Sequence, residues 1–229
     1  MHKTLAAVLT LFACGDGEKN TPPGDGLDLD LSLCAPENGP FTVEIDNEFL
    51  PFEVGAVHVL EGLEGGREWG RFEMTVTDET LDVAGVTTRV VAQRNFEGPE
   101  DTPLLVEISR AYFAQAPDGT VCFFGEDADE VDEAGEVVRR VEEWRARDNE
   151  AEAGIYMPGT PLLGQVYTMV YNPSVEVEDA EIVEFGETLD APAGTFDDTV
   201  TVLEGGVSRK RYARGIGQID DDGMEIASY

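Results

Sequence analysis

The sequence predicts an all-β fold, in which an antiparallel meander forms an open or closed barrel or a curved sheet. Two observations predict it. Apolar and polar side chains alternate with period two from residue 41 onward, as in strands with one buried face. Turn signals separate these runs at intervals of roughly 8–15 residues, which suits hairpins better than strand–helix–strand units. Hydrophobic residues make up 41% of the 229 positions, enough to build a core.

The chain begins with a segment typical of a secretory signal. Residues 4–13, TLAAVLTLFA, form an uncharged apolar run. A membrane-spanning helix needs about 20 apolar residues, whereas a signal-peptide core needs about 7–15. Residues 11–14, Leu-Phe-Ala-Cys, resemble a bacterial lipobox, which implies cleavage before Cys14 and lipidation of its thiol. We therefore expect residues 1–13 to be a signal peptide. A plain signal peptide or a mis-assigned start codon is the alternative.

Residues 14–40 are predicted to be a lipid anchor followed by a flexible tether. They are rich in Gly, Pro, Asp and Asn and lack a sustained apolar period. Gly15 permits sorting to the outer membrane in Gram-negative cells. The expected location is therefore the bacterial envelope, at the outer membrane facing the periplasm or the surface. Residues 41–229 then form a single antiparallel β domain.

Two cysteines remain after the lipidated one, Cys34 and Cys122. In an oxidising compartment an even pair is expected to form a disulfide, which would pin the tether to the domain. The alternative is two unpaired thiols, with Cys122 buried in a strand as a small apolar residue.

The strands themselves follow from the alternation. It is clearest in four runs, residues 72–77, 104–115, 166–171 and 196–202. Asp, Ala and Gly mark the turns at 64–66, 84–85, 117–119, 193–194, 205–206 and 222–223. Glycine suits these turns because it accepts a positive φ.

The charge balance restricts the partners. The chain has 48 Asp and Glu against 15 Lys and Arg, a formal net charge of −33. Such a surface repels nucleic acid and anionic lipid, and it favours cations and cationic partners. Scarce lysine together with abundant acid is found in proteins from salty or calcium-rich water, but a nucleotide-composition bias toward arginine accounts for it equally well.

The sequence offers little for catalysis. His58 is the single histidine after the signal, so a histidine-based triad or a zinc site is not expected. A hydrolase using paired carboxylates needs only two acids, and with 48 candidates no pair can be nominated. We therefore expect no enzyme, and a carboxylate-based hydrolase is kept as an alternative.

Two acidic clusters, residues 126–133 and 220–225, could bind calcium weakly. Neither has the spacing of a calcium-binding helix–loop–helix motif, and a solvated acidic turn is the alternative. The candidate ligands are Asp127, Asp129, Asp132, Asp220 and Asp222. No other cofactor or metal is expected.

Two further groups of side chains have alternative roles. The basic residues between Arg209 and Arg214 either pair across strands with the acids of residues 176–184 or form a docking patch. The aromatic residues of the central half either fill the core or line a half-open barrel that carries an apolar ligand.

From residue 47 onward the chain resembles a family of uncharacterised bacterial lipoproteins. The matching segments are 47–55, 111–119, 123–127, 153–158, 163–167 and 212–217. In the family they read like "YFPL..PG", "YYAQD..GNVWYFGE", "GIIMP", "VGD.Y" and "YYAPGVG". Cys122 stands where the family tends to have tryptophan. The resemblance implies an exported all-β lipoprotein and, because the family has no established activity, nothing about chemistry.

Residues 132–147 are ambiguous. Their apolar spacing and i,i+4 charge pairs favour a helix, while Ala134-Gly135 looks like a hairpin tip. On the resemblance we expect a strand. The most economical function is a non-enzymatic binding or envelope-structural module, attached to the membrane through its lipid.

Overall fold

The computed structural model describes residues 27–229, and their regular structure is almost entirely β-strand. Two short 3-10 helices, Leu31–Cys34 and Pro36–Asn38, come first. The strands are β1 (Ile45–Asp46), β2 (Pro51–Phe52), β3 (Val57–Glu64), β4 (Glu68–Val83), β5 (Val86–Glu97), β6 (Leu104–Gln115), β7 (Val121–Val131), β8 (Val137–Arg145), β9 (Gly154–Met157), β10 (Val166–Asn172), β11 (Glu176–Ala191), β12 (Gly194–Glu204), β13 (Ser208–Ala213), β14 (Gly217–Asp221) and β15 (Met224–Ser228). The predicted all-β fold class is confirmed.

The sheet consists of two antiparallel meanders joined side by side. One runs from β3 to β8 and the other from β10 to β15, and β15 pairs with β3. Strand β9 pairs with β7, and a bridge between Glu152 and Tyr171 brings it against β10. The sheet is therefore nearly closed into a barrel.

The predicted strands and turns recur in the structure. The four alternating runs lie within β4, β6, β10 and β12, and all six turn signals separate consecutive strands. The β12–β13 turn shows why glycine is needed there: Gly205 and Gly206 have φ values of +56° and +74°, a region that other residues enter only with strain.

Residues 137–145 form a strand, as the resemblance implied. Tertiary pairing overrides the local helical preference because Arg139 and Arg140 find their partners across the ladder. The Arg139 Nη2 lies 2.6 Å from Glu130 Oε2, and the Arg140 Nε lies 2.5 Å from Asp129 Oδ1. The i,i+4 pairs that favoured a helix are thereby replaced by cross-strand pairs.

One end of the barrel is covered by residues 27–56. Asn47 Nδ2 donates to the backbone oxygens of Gly119 and Pro158 at 2.9 and 3.0 Å, which ties the segment to two loops of that end. A disulfide joins Cys34 to Cys122 on β7. Residues 27–40, which the composition assigned to the tether, thus lie against the domain. The predicted signal peptide, Cys14 and residues 15–26 lie outside the described residues.

The core occupies the covered half of the barrel. Its largest cluster joins residues of both meanders, and aromatic rings dominate its centre, with Phe113 5.1 Å from Phe123 and 5.0 Å from Tyr156 between ring centroids. Within residues 27–229, no helix is long and apolar enough to cross a membrane.

Candidate functional site

The inner face of the barrel changes from apolar to acidic toward its second end. On β12 the inward residues Val200 and Val202 are buried, and Glu204 continues the same face. On β11, Ile182 is fully buried, and Glu178 follows on the same side near the hairpin. Because side chains alternate along a strand, residues two apart share a face. The acids therefore project into the barrel and not outward.

Strands β5 to β8 repeat this change. Ala111 pairs with Glu126, which pairs with Trp144, so these three side chains share the inner face. Glu107 lies four residues before Ala111 on β6, and Glu142 lies two residues before Trp144 on β8. The register of the ladder thus places acids from neighbouring strands at the same level.

The resulting group of inward carboxylates is called the acidic mouth here. Its members are Glu64, Glu97, Glu107, Glu126, Glu142, Glu176, Glu178, Glu204 and Asp221, and in this order each is an electrostatic neighbour of the next, with Asp221 returning to Glu64. Most of them are half-buried, so water reaches the mouth. The carboxylates form a complete ring around this end of the barrel.

Burial within the ring changes the protonation of its members. It raises the pKa of Glu126 and Glu178 to about 7 and that of Glu204 to about 8, and neighbouring carboxylates raise them further. Burial also raises the pKa of Glu97 and Glu107. Desolvation and like charge both disfavour ionisation, so the mouth holds some of its protons at neutral pH.

Lys210 is the basic member of this site. It pairs with Val202 on β12 and with Asp221 on β14, so it faces inward. Its ammonium group donates to Asp221. Burial acts to lower its pKa, but the carboxylates of Asp221 and Glu204 outweigh this and raise the pKa. One lysine among nine carboxylates leaves the ring strongly negative.

Three tyrosines lie beneath the ring. Tyr167 pairs with Ala180, which pairs with Glu204, so its ring stands in the same inward row. Tyr167 is 2% exposed, and its hydroxyl has no hydrogen-bond partner. The hydroxyls of Tyr156, Tyr167 and Tyr212 all interact electrostatically with the Glu204 carboxyl. An unsatisfied buried hydroxyl costs about 1–3 kcal/mol, and this one points toward the mouth.

The predicted calcium ligands lie outside this mouth. Asp127 accepts hydrogen bonds from Tyr112 (2.7 Å) and Arg145 (2.8 Å). Asp129 pairs with Arg140. Asp132 caps the β7–β8 turn by accepting from two backbone amides.

The remaining two candidate ligands lie on β14 and its turn. Asp220 stands opposite Arg211, and Asp222 accepts from the Arg209 amide at 2.8 Å. In the described part of the chain, no three His, Cys, Asp or Glu side chains are grouped so that they could hold a metal ion. The structure therefore does not bring the five predicted ligands together, and weak calcium binding stays a prediction.

The basic cluster pairs differently from the expectation. Arg209 does reach the acidic run, with Glu184 at 2.8 Å. Lys210 pairs with Asp221, and Arg214 pairs with Glu48. The reason is the strand order, because β12 separates β13 from β11 and puts β14 on the other side.

Sequence reasoning missed the acidic mouth, although a signal for it exists. In β11 and β12 the inward apolar positions give way to acids in phase, two residues at a time, just before a glycine turn. That pattern recurs on several strands. It distinguishes these acids from the outward ones, whose alternation has the opposite phase.

Comparisons with known proteins add no assignment. No family model matches the chain, and neither the curated proteins nor the solved structures contain a match. The case for function therefore rests on the geometry of the mouth.

Proposed function

We propose that this chain is a lipid-anchored binding module of a bacterial envelope, and that its site is the acidic mouth, which binds a cationic ligand. The observation that carries the proposal is the closed ring of nine inward carboxylates above an unpartnered buried phenol. Mutual repulsion disfavours such a ring in the free protein. A bound cation relieves the repulsion, and the phenol oxygen can accept a hydrogen bond from it.

The envelope location is supported by the N-terminal sequence. The apolar run, the lipobox-like residues before Cys14 and the resemblance to bacterial lipoproteins agree with one another. The disulfide between Cys34 and Cys122 fits an oxidising compartment outside the cytosol.

Two alternatives gain less support. A carrier of apolar ligands needs a cavity among the aromatic residues, but these pack against one another, as in the contact between Phe123 and Trp144 with centroids 5.2 Å apart. A carboxylate hydrolase is favoured by one specific feature, the protonated Glu204 beside Asp221. Turnover of aryl glycosides that is lost in Glu204→Gln would support it.

Isothermal titration with spermidine at low ionic strength tests the binding proposal. The test variant carries Glu126→Gln, Glu178→Gln and Glu204→Gln. The matched control carries Glu133→Gln, Glu181→Gln and Glu187→Gln, which remove the same charge from exposed positions. We expect the wild type and the control to bind alike and the mouth variant to bind at least tenfold more weakly. Equal binding by all three proteins would refute the proposal.

A further inference from the structure

The hairpins that surround the acidic mouth expose aliphatic side chains. Five of them carry one each near the tip. These residues, called the aliphatic crown here, are Leu63 (53% exposed), Leu104 (47%), Val137 (53%), Val175 (56%) and Val207 (76%). They belong in order to the β3–β4, β5–β6, β7–β8, β10–β11 and β12–β13 hairpins. Antiparallel meanders place alternate turns at the same end, so all five lie around the mouth.

Single exposed aliphatic residues are ordinary on a protein surface. The arrangement of these five is the informative feature. Leu63 directly precedes Glu64 of the mouth, and Val175 directly precedes Glu176. An apolar rim therefore borders the ring of carboxylates along much of its circumference.

We propose that the occupant of this end is a protein partner, which seats an apolar surface on the aliphatic crown and inserts a lysine or arginine side chain into the acidic mouth. This inference rests on the proposed function. It goes further because it names the class of ligand. A free small cation would be satisfied by the carboxylates alone and would make no use of the crown.

Charge and surface complementarity favour a polypeptide over a lipid surface. An apolar rim around a desolvated, oppositely charged centre is the usual anatomy of a protein interface, with the charge pair shielded from water by its surroundings. Most bacterial membrane surfaces are anionic, and nine carboxylates would be repelled by them. A basic side chain on a protein meets no such repulsion.

The depth of the mouth suits a long side chain. Glu204 and the Tyr167 hydroxyl lie at the level of the buried core, whereas Glu64 near the β3–β4 tip is exposed. A lysine or arginine stem can pass the rim and bury its methylene groups while its charged end reaches the carboxylates. Its amine or guanidinium can also donate to the Tyr167 oxygen, which is unpaired in the free protein.

The test uses two blocked peptides and spermidine as probes, measured by fluorescence anisotropy or titration calorimetry on the same protein. One peptide has a single lysine flanked by leucines, and the other has the lysine flanked by serines. We expect the leucine peptide to bind about tenfold more tightly than the serine peptide, as burial of a few methylene groups requires. The crown variant, Leu63→Ser, Leu104→Ser and Val207→Ser, should lose this preference while keeping its affinity for spermidine.

A control variant carries Val54→Ser, Leu162→Ser and Leu163→Ser, exposed aliphatic residues outside the crown, and should keep the preference for the leucine peptide. If spermidine binds to the wild type but neither peptide is preferred, the protein-partner inference is overturned and the proposed function stands. If spermidine does not bind at all, the proposed function itself fails. Crown-dependent binding to phosphatidylethanolamine vesicles without any peptide preference would overturn the inference in favour of a membrane surface.

Discussion

Replacing Glu204 with glutamine should make the stability of the protein less dependent on pH. Glu204 is 7% exposed, and burial raises its pKa from 4.5 to about 8. Asp221 and Glu178 add to this rise, and Lys210 opposes it. Between these two pKa values the folded protein holds a proton that the unfolded chain has lost. Stability therefore falls as pH rises through this window, and the loss is complete above the folded pKa.

The magnitude follows from the size of the window. Each unit of pKa shift is about 1.4 kcal/mol between the two protonation states. Relaxation of the site and entry of water reduce the full value, so we expect the loss from this one group to be about 2 kcal/mol between pH 5 and pH 9. Glutamine resembles the protonated carboxyl and cannot ionise. The variant should therefore match the wild type near pH 5 and exceed its stability at pH 9.

Urea unfolding, followed by tryptophan fluorescence at pH 5, 7 and 9 and constant ionic strength, measures the difference. Glu181→Gln is the control, since Glu181 lies on the outward face of β11 and is exposed. Its stability should run parallel to that of the wild type at all three pH values. A Glu204→Gln variant that also runs parallel, or that is least stable relative to the wild type at pH 9, would show that Glu204 is not a desolvated acid of the mouth.

Three further predictions concern other parts of the molecule. The melting temperature should rise with NaCl from 0.05 to 1 M, and the mouth triple variant should show a smaller rise, because screening relieves repulsion that the variant lacks; equal salt dependence measured by calorimetry would contradict this. Reducing the Cys34–Cys122 disulfide, or replacing both cysteines with alanine, should destabilise the domain by about 3–5 kcal/mol in urea unfolding, since it closes a loop with a sequence separation of 88; an unchanged midpoint would count against a stabilising crosslink. Tyr167→Phe should leave the stability unchanged or raise it by about 1 kcal/mol, because it removes an unsatisfied hydroxyl, while weakening spermidine binding in titration calorimetry; a clear loss of stability would mean that the hydroxyl has a partner in the folded protein.

The strands could be predicted from sequence because alternation and glycine turns are local signals. The four alternating runs and all six turns needed only neighbouring residues for their recognition. The order of strands could not be predicted in this way. The pairing of β15 with β3 joins residues more than 150 positions apart, and no local pattern specifies it. The same limit explains the basic cluster, whose partners depend on which strand lies between β11 and β13.

Residues 137–145 show where local and tertiary preferences conflict. Charge pairs at i,i+4 were present for a helix, yet Arg139 and Arg140 pair with Glu130 and Asp129 of β7. The acidic mouth was missed for a related reason. With 48 acids in the chain, no single glutamate is distinctive, and only the register of the ladder selects those that face inward together.

The position of the acids also separates adaptation from function. Acidic residues on the outer face, such as Glu133 and Glu181, are exposed and add charge at little cost in water, which adaptation to salt explains. Glu126, Glu178 and Glu204 are different, because burial and like charge raise their pKa values to about 7 or 8. Solubility gains nothing from carboxyls that are partly protonated at neutral pH. Strongly perturbed acids gathered at one concave place are typical of sites that bind or react. For this reason we place the function of the domain in the mouth and attribute its outer charge to its surroundings.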